Sequence, residues 1–123
     1  MSMSAISWFE LPAHELNRAV KFYETILAVS LRREIIGDEM GIFPSGEMGV
    51  SGCVVKSEGY EPSAKGAVVY LQAEPTLGTV LSRVGPAGGQ ILVPATELPQ
   101  GMGFYAHILD TEGNRVGLHS MKA

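Results

Sequence analysis

The chain spells one pattern twice, and that repetition limits its fold more than any other feature. Residues 6–11 alternate, with Ser7, Phe9 and Leu11 set against Ile6, Trp8 and Glu10, the period of two that marks a strand. Pro12 closes the run because it has no N–H to give a ladder. Over residues 15–27 the spacing becomes helical. Leu16, Ala19, Val20, Tyr23 and Leu27 share one stripe, and Arg18, Lys21 and Glu24 take the wet side. Three more strands are predicted at 29–36, 40–43 and 49–56, broken by Gly37-Asp38 and by a Pro44-Ser45-Gly46 turn. The order then returns. Residues 67–73 alternate, and Leu77, Val80, Leu81 and Val84 form a helical stripe with Thr76 as its expected N-cap and Gly85-Pro86 as its stop. Strands are predicted at 89–93, 103–109 and 114–120, the last two joined by Asp110-Thr111-Glu112-Gly113, where Gly113 supplies a positive φ.

A shift of 60 residues lays Glu10-Leu11 on Tyr70-Leu71, whereas the helices match at 61, Leu16 on Leu77 and Val20 on Leu81. The extra residue belongs in the strand-to-helix loop, because a one-residue slip within a strand turns every side chain to the other face. Two copies are too few for a solenoid and enough for two sheets that pair. The expectation is one α+β domain over 1–123: a first βαβββ module at about 5–57, a linker at 58–65 and a second module at about 66–121. The linker region carries Gly59, Pro62 and no periodicity, as a surface crossing should.

Composition bounds the partners. With 123 residues, 46% hydrophobic and 18% charged, the chain can bury a core without a disulfide. A net charge of −4 leaves no basic footprint for nucleic acid. No apolar run approaches the roughly 18 residues of a membrane span. The opening Met1-Ser2-Met3-Ser4 is not a charged-then-apolar leader. Cys53 is the sole cysteine, which suits a reducing compartment, so a cytoplasmic setting is expected with neither nucleic acid nor membrane as partner.

Three segments carry a resemblance: Trp8-Phe9-Glu10-Leu11-Pro12, the helix run Arg18-Ala19-Val20-Lys21-Phe22-Tyr23, and Asp110-Thr111-Glu112-Gly113-Asn114-Arg115-Val116-Gly117-Leu118. Together they resemble the vicinal-oxygen-chelate superfamily of glyoxalase I, extradiol dioxygenases and bleomycin-resistance proteins. The nearest branch is the short one described as related to lactoylglutathione lyase. The resemblance spans nearly the whole chain. It implies curled sheets with helices outside, a half-barrel cavity between paired sheets, and a homodimer with sites at or near its interface. In the metalloenzyme branches, four positions on the first and last strands of the modules carry His, Glu or Gln ligands. Here those positions fall on Trp8, Val68, Gly117 and residues 53–55, which hold no imidazole or carboxylate. A catalytic divalent site generally needs three protein ligands, so no metal and no other cofactor is expected. Glyoxalase I chemistry, with its enediolate on the metal, and extradiol cleavage, with its His and carboxylate ligands, are both disfavoured.

Candidate site residues follow from face parity. Glu10 shares a face with Trp8 and is expected as a general base with a pKa raised by burial, or else as a solvated rim carboxylate. Trp8 floors a ligand cavity by stacking, or packs as core. Tyr70, the repeat partner of Glu10, is the expected opposite wall, with Gln72 nearer the edge. In the last strand Arg115, Gly117 and His119 share one face, and Val116 and Leu118 point to a helix. Arg115 either holds a ligand's carboxylate or phosphate or pairs with Asp110 or Glu112. His119 is suited to proton transfer, unless it sits exposed at the chain end. The face of His107 depends on whether the turn after Leu109 has four residues or fewer; with Leu109 opposite Asn114 it lies on the helix side as a core histidine. His14 is expected in a cap-like contact at the helix entry, and Cys53 as an inert thiol. Gly85, Gly88 and Gly89 follow a helix rather than open one, so they form no dinucleotide loop. Residues 95–103, with Pro99, Gly101 and Gly103, suggest a lid. The functional expectation is a metal-free binder holding a small, partly aromatic molecule between Trp8 and Tyr70. The alternative is a metal-independent lyase or isomerase on a small carbonyl or thiol adduct, with Glu10 as base and Arg115 or His119 on an anionic group.

Overall fold

Each round of the repeat builds one four-stranded sheet with one helix on it. The computed structural model describes residues 4–46 and 49–123; Met1, Ser2 and Met3 of the leader reading lie outside the described residues. The first module runs β1 (Trp8–Pro12), α1 (Leu16–Leu27), β2 (Arg32–Ile36), β3 (Asp38–Ile42) and β4 (Ser51–Val55). The second runs β5 (Tyr70–Gln72), α2 (Leu77–Val84), β6 (Gln90–Glu97), β7 (Phe104–Leu109) and β8 (Arg115–Ser120). The sheet orders are β1-β4-β3-β2 and β5-β8-β7-β6. In both, the first strand lies at an edge and pairs parallel with the last, and the remaining pairs are antiparallel.

The ends of several elements differ from the sequence reading for local reasons. Ala28 caps α1 in the left-handed region at φ 55, and Glu24 Oε2 accepts from the Leu31 N–H at 2.8 Å. Residues 28–31 therefore leave the helix as a connection, and the strand expected from 29 starts at Arg32. In the second module β6 continues to Glu97, which corrects the lid at 95–103: residues 95–97 are strand. The rest closes a hairpin, with the Leu98 N–H donating to Gly103 O at 2.8 Å. Thr76 caps α2 by accepting from the Thr79 N–H at 3.1 Å.

One core joins the modules. Phe22, Tyr23 and Ile26 of α1 and Leu77, Val80 and Val84 of α2 are all buried in a single cluster with Leu11, Val54, Leu71, Ile108 and Leu118. Each fully buried large apolar side chain contributes about 1.5–3 kcal/mol. The helices pack on each other and on the same side of their own sheets, which leaves the opposite face of each sheet for other work.

The turn after β7 locks this arrangement. Glu112, whose side chain is fully buried, accepts from the backbone N–H of His14 at 2.9 Å and of Glu15 at 2.8 Å, and from Arg18 Nε at 2.7 Å. It thus takes up the N–H groups of the two residues that lead into α1, where Glu15 provides no side-chain cap. This corrects the role expected of His14: its backbone is held by Glu112, and its side chain is not the cap. Burial opposes ionisation of Glu112, but the Arg18 guanidinium, the Glu15 N–H and the Thr111 hydroxyl outweigh it and hold the carboxyl down at about 2. Asp110 accepts from the Tyr23 hydroxyl at 2.5 Å and from the backbone N–H groups of Glu112 and Asn114 at 2.8 and 2.9 Å. Asn114 Nδ2 reaches back to Pro12 O at 2.8 Å.

Candidate functional site

Strand register decides which side chains meet. Tyr70 lies beside Gly117 and Gly117 beside His107, while Gln72 lies beside His119 and His119 beside Tyr105. All of these share the face turned away from α2, since their neighbours Leu71, Leu118, Ala106 and Ile108 are buried in the core. Gly117 is required here. A Cβ at that position would overlap the Tyr70 ring, which lies across it.

The register settles the face of His107, which the sequence left open, against the helix side. The Asp110 N–H donates to Asn114 O at 3.0 Å, so Asn114 belongs to the turn and Leu109 pairs with Arg115 instead. That change of one residue moves His107 from the helix side to the open face. There its Nε2 lies 2.6 Å from the Tyr70 hydroxyl and its Nδ1 2.9 Å from Arg115 Nη1. Partial burial, and next the Arg115 charge, push the His107 pKa down. Arg115 does not pair with Asp110 or Glu112, because those carboxylates are engaged by Tyr23, Arg18 and backbone N–H groups. His119 Nε2 donates to Met102 O at 2.7 Å, and the imidazole is only partly exposed despite its place near the chain end.

Tyr70, Tyr105, His107, His119 and Leu98 line a cavity of about 480 Å³. The rings of Tyr70, Tyr105 and His107 meet edge to face, with centroids 5.4 to 6.5 Å apart. A second, wider hollow of about 840 Å³ opens between the modules. Phe9, Leu27, Phe43 and Val69 are among its walls, and Tyr70 and Gln72 reach it as well.

Trp8 and Glu10 occupy the corresponding face of the first sheet and do not line the aromatic cavity. Trp8 is 41% exposed, and its Nε1 donates to Glu10 Oε2 at 3.3 Å. Glu10 is exposed, not buried as the general-base reading required. Its Oε2 lies 4.0 Å from Cys53 Sγ, and its carboxylate pushes the pKa of the Tyr60 phenol of the linker up. Beneath them Met40, Ile42, Cys53 and Val55 form a separate buried cluster. Burial, and next the Glu10 charge, push the Cys53 thiol up to about 12. Among the described residues no three His, Cys, Asp or Glu side chains come together to hold a metal ion, and no helix is long and apolar enough to cross a membrane.

Of the sequence candidates, the structure therefore brings Tyr70, Arg115 and His119 together, leaves Gln72 at the edge of the neighbouring hollow, and sets Trp8 and Glu10 apart. Tyr105, His107 and Leu98 are the additions. The alternation of Tyr105, His107 and Leu109 was visible in the sequence, but the length of the turn that sets their face was not.

No protein-family model and no curated protein sequence matches the chain. Solved structures do. A mutant of glyoxalase I from Zea mays matches 93% of this chain with a TM-score of 0.71 at 22% identity, and the chain spans 46% of that protein's length. A glyoxalase/bleomycin resistance protein from Albidiferax ferrireducens matches over 95% of this chain and 98% of its own, with a TM-score of 0.75 at 14% identity. TnmS3, an antibiotic binding protein from a Streptomyces species, matches over 98% of both chains, with a TM-score of 0.68 at 19% identity. The class is thus an α+β protein made of two βαβββ modules. More narrowly, the chain has the vicinal-oxygen-chelate fold of the glyoxalase and bleomycin-resistance proteins.

Proposed function

We propose that this chain is a metal-independent binding protein that holds a small, planar, partly aromatic molecule against Tyr70, Tyr105, His107 and His119. The observation that carries the reading is the cavity itself. Its volume of about 480 Å³ lies within the roughly 300–1,000 Å³ of small-molecule sites, and aromatic walls with a few polar tips are what such sites use. TnmS3, an antibiotic binding protein, has the same fold.

A divalent metal of the kind the fold family implies does not fit the corresponding positions. Trp8, Val68 and Gly117 offer no donor atom from their side chains, and the Cys53 thiol is fully buried and raised to about 12. The reading includes a cytoplasmic setting and a homodimer, in which the open face of the first sheet, with Trp8 and Glu10, meets a second copy's second sheet. Trp8 and Tyr70 would then wall one ligand across the interface. The alternative, a metal-independent lyase or isomerase with Glu10 as base, has one observation in its favour: Glu10 forms no ion pair among the described residues.

Metal analysis of the purified protein and a thermal-shift screen of small aromatic compounds test the reading together. Saturation at 100 times Kd adds about 2.7 kcal/mol of stability. Stoichiometric zinc, nickel or iron whose removal also lowers stability would overturn it. For the alternative, Glu10→Gln should abolish turnover with little change in affinity.

A further inference from the structure

Hydrogen-bond chemistry along Arg115, His107 and Tyr70 has only one consistent arrangement. A guanidinium is always protonated and only donates, so Arg115 Nη1, 2.9 Å from His107 Nδ1, gives its hydrogen to a bare ring nitrogen. A neutral imidazole with a bare Nδ1 carries its hydrogen on Nε2. That Nε2–H, 2.6 Å from the Tyr70 oxygen, donates to it. Were Tyr70 to donate to Nε2 instead, both ring nitrogens would be bare and the ring an imidazolate. Were the ring an imidazolium, an Nδ1–H would face the Arg115 donor. With its oxygen already accepting from His107, Tyr70 has its own O–H free to turn toward the cavity.

We infer that Arg115 and His107 are positioning residues that fix the His107 tautomer and leave the Tyr70 O–H free to donate into the cavity, so that the cavity selects planar molecules bearing a carbonyl oxygen. The inference rests on the binding role proposed above and names the ligand class for that site. The walls supply shape and stacking, and Tyr70 supplies the one directed contact. A planar hydrocarbon of equal size gains the first and forfeits the second.

Two measurements test it. In long-range ¹⁵N NMR, His107 should show a pyridine-type Nδ1 and a pyrrole-type Nε2, and Arg115→Met should turn this into a tautomer mixture. A protonated Nδ1 in the wild-type protein overturns the inference. In NMR titrations, acetophenone should bind about tenfold more tightly than α-methylstyrene, which replaces C=O by C=CH₂ in the same shape; tenfold corresponds to about 1.4 kcal/mol, a normal net value for one hydrogen bond. Tyr70→Phe, which keeps the ring, should erase the preference for acetophenone over α-methylstyrene. Equal wild-type affinity for the two probes overturns the inference and leaves the cavity reading standing. A wild-type protein that binds neither overturns both.

Discussion

Replacing Glu112 by Gln tests whether the second module holds the first through one buried carboxylate. The amide keeps the size of the side chain and an oxygen for the His14 and Glu15 N–H groups. It loses the charge and sets an NH₂ donor against the Arg18 guanidinium, which now donates to Oε2 at 2.7 Å. The Glu112 pKa drops on folding from 4.5 to about 2, and each unit is worth about 1.4 kcal/mol, which makes about 3 kcal/mol a ceiling. Arg18 is 46% exposed, so solvent screens the pairing and about 2 kcal/mol is the expected size. The folded pKa is depressed, so this contribution is fully present above about pH 4.5 and is lost as the pH falls toward 2. Urea unfolding of wild type and Glu112→Gln between about pH 6 and pH 2 reads it directly, because the other acids titrate in both proteins and cancel. The stability gap between the two should close by about 2 kcal/mol across that range, most of it below about pH 4. A gap that stays constant with pH would show that Glu112 acts by shape and hydrogen bonding alone, and would refute the charge-based account of how the modules are held.

Tyr23→Phe leaves buried Asp110 without its hydroxyl donor and should cost about 1–3 kcal/mol in urea unfolding; a loss below about 0.5 would mean that the backbone donors suffice. Gly117→Ala places a methyl group where the Tyr70 ring lies. It should break the Tyr70–His107 contact and weaken aromatic ligands by about tenfold or more while circular dichroism stays native; unchanged affinity would remove Tyr70 from the site. Cys53, fully buried and with a thiol raised to about 12, should react with a thiol reagent at mildly alkaline pH only as fast as the protein opens. A fast stoichiometric reaction of the native protein would contradict the buried cluster under Glu10.

Period and parity carried the fold. Alternation through Trp8–Pro12 and the stripes from Leu16 and Leu77 were readable because each reports on neighbours a few residues away. They also placed Tyr70, Arg115 and His119 on one face correctly. What escaped depends on contacts distant in sequence. Glu112 holds the N-cap residue of a helix, Glu15, from 97 residues further on, and nothing in the local run around Glu15 announces it. The face of His107 stayed open because it hangs on whether Asn114 belongs to the strand or to the turn, and the deciding hydrogen bond lies within that turn. Trp8 and Tyr70 have the expected parity in their own sheets, but parity within a sheet says nothing about whether two sheets of one chain face each other.

The same contacts explain why resemblance reaches the fold and stops short of the chemistry. The segment from Asp110 to Asn114, part of one of the three stretches that carry the resemblance, is committed to architecture: Asp110 to Tyr23, Glu112 to the start of α1, Asn114 to Pro12. Changing any of these loosens the joint between modules, whatever the cavity binds. Tyr70, Tyr105, His107 and His119 touch that joint only through strand register, so their identities can vary without disturbing it. A chain can therefore keep the joint, and with it the fold, while the side chains on the wall change. Specificity in this chain should accordingly respond to substitutions at Tyr70 and His107 and stability to those at Asp110 and Glu112, with little exchange between the two sets. Double-mutant cycles pairing Tyr70→Phe with Glu112→Gln should show coupling below about 0.5 kcal/mol in both binding and unfolding, and a larger value would mean that joint and cavity are one unit.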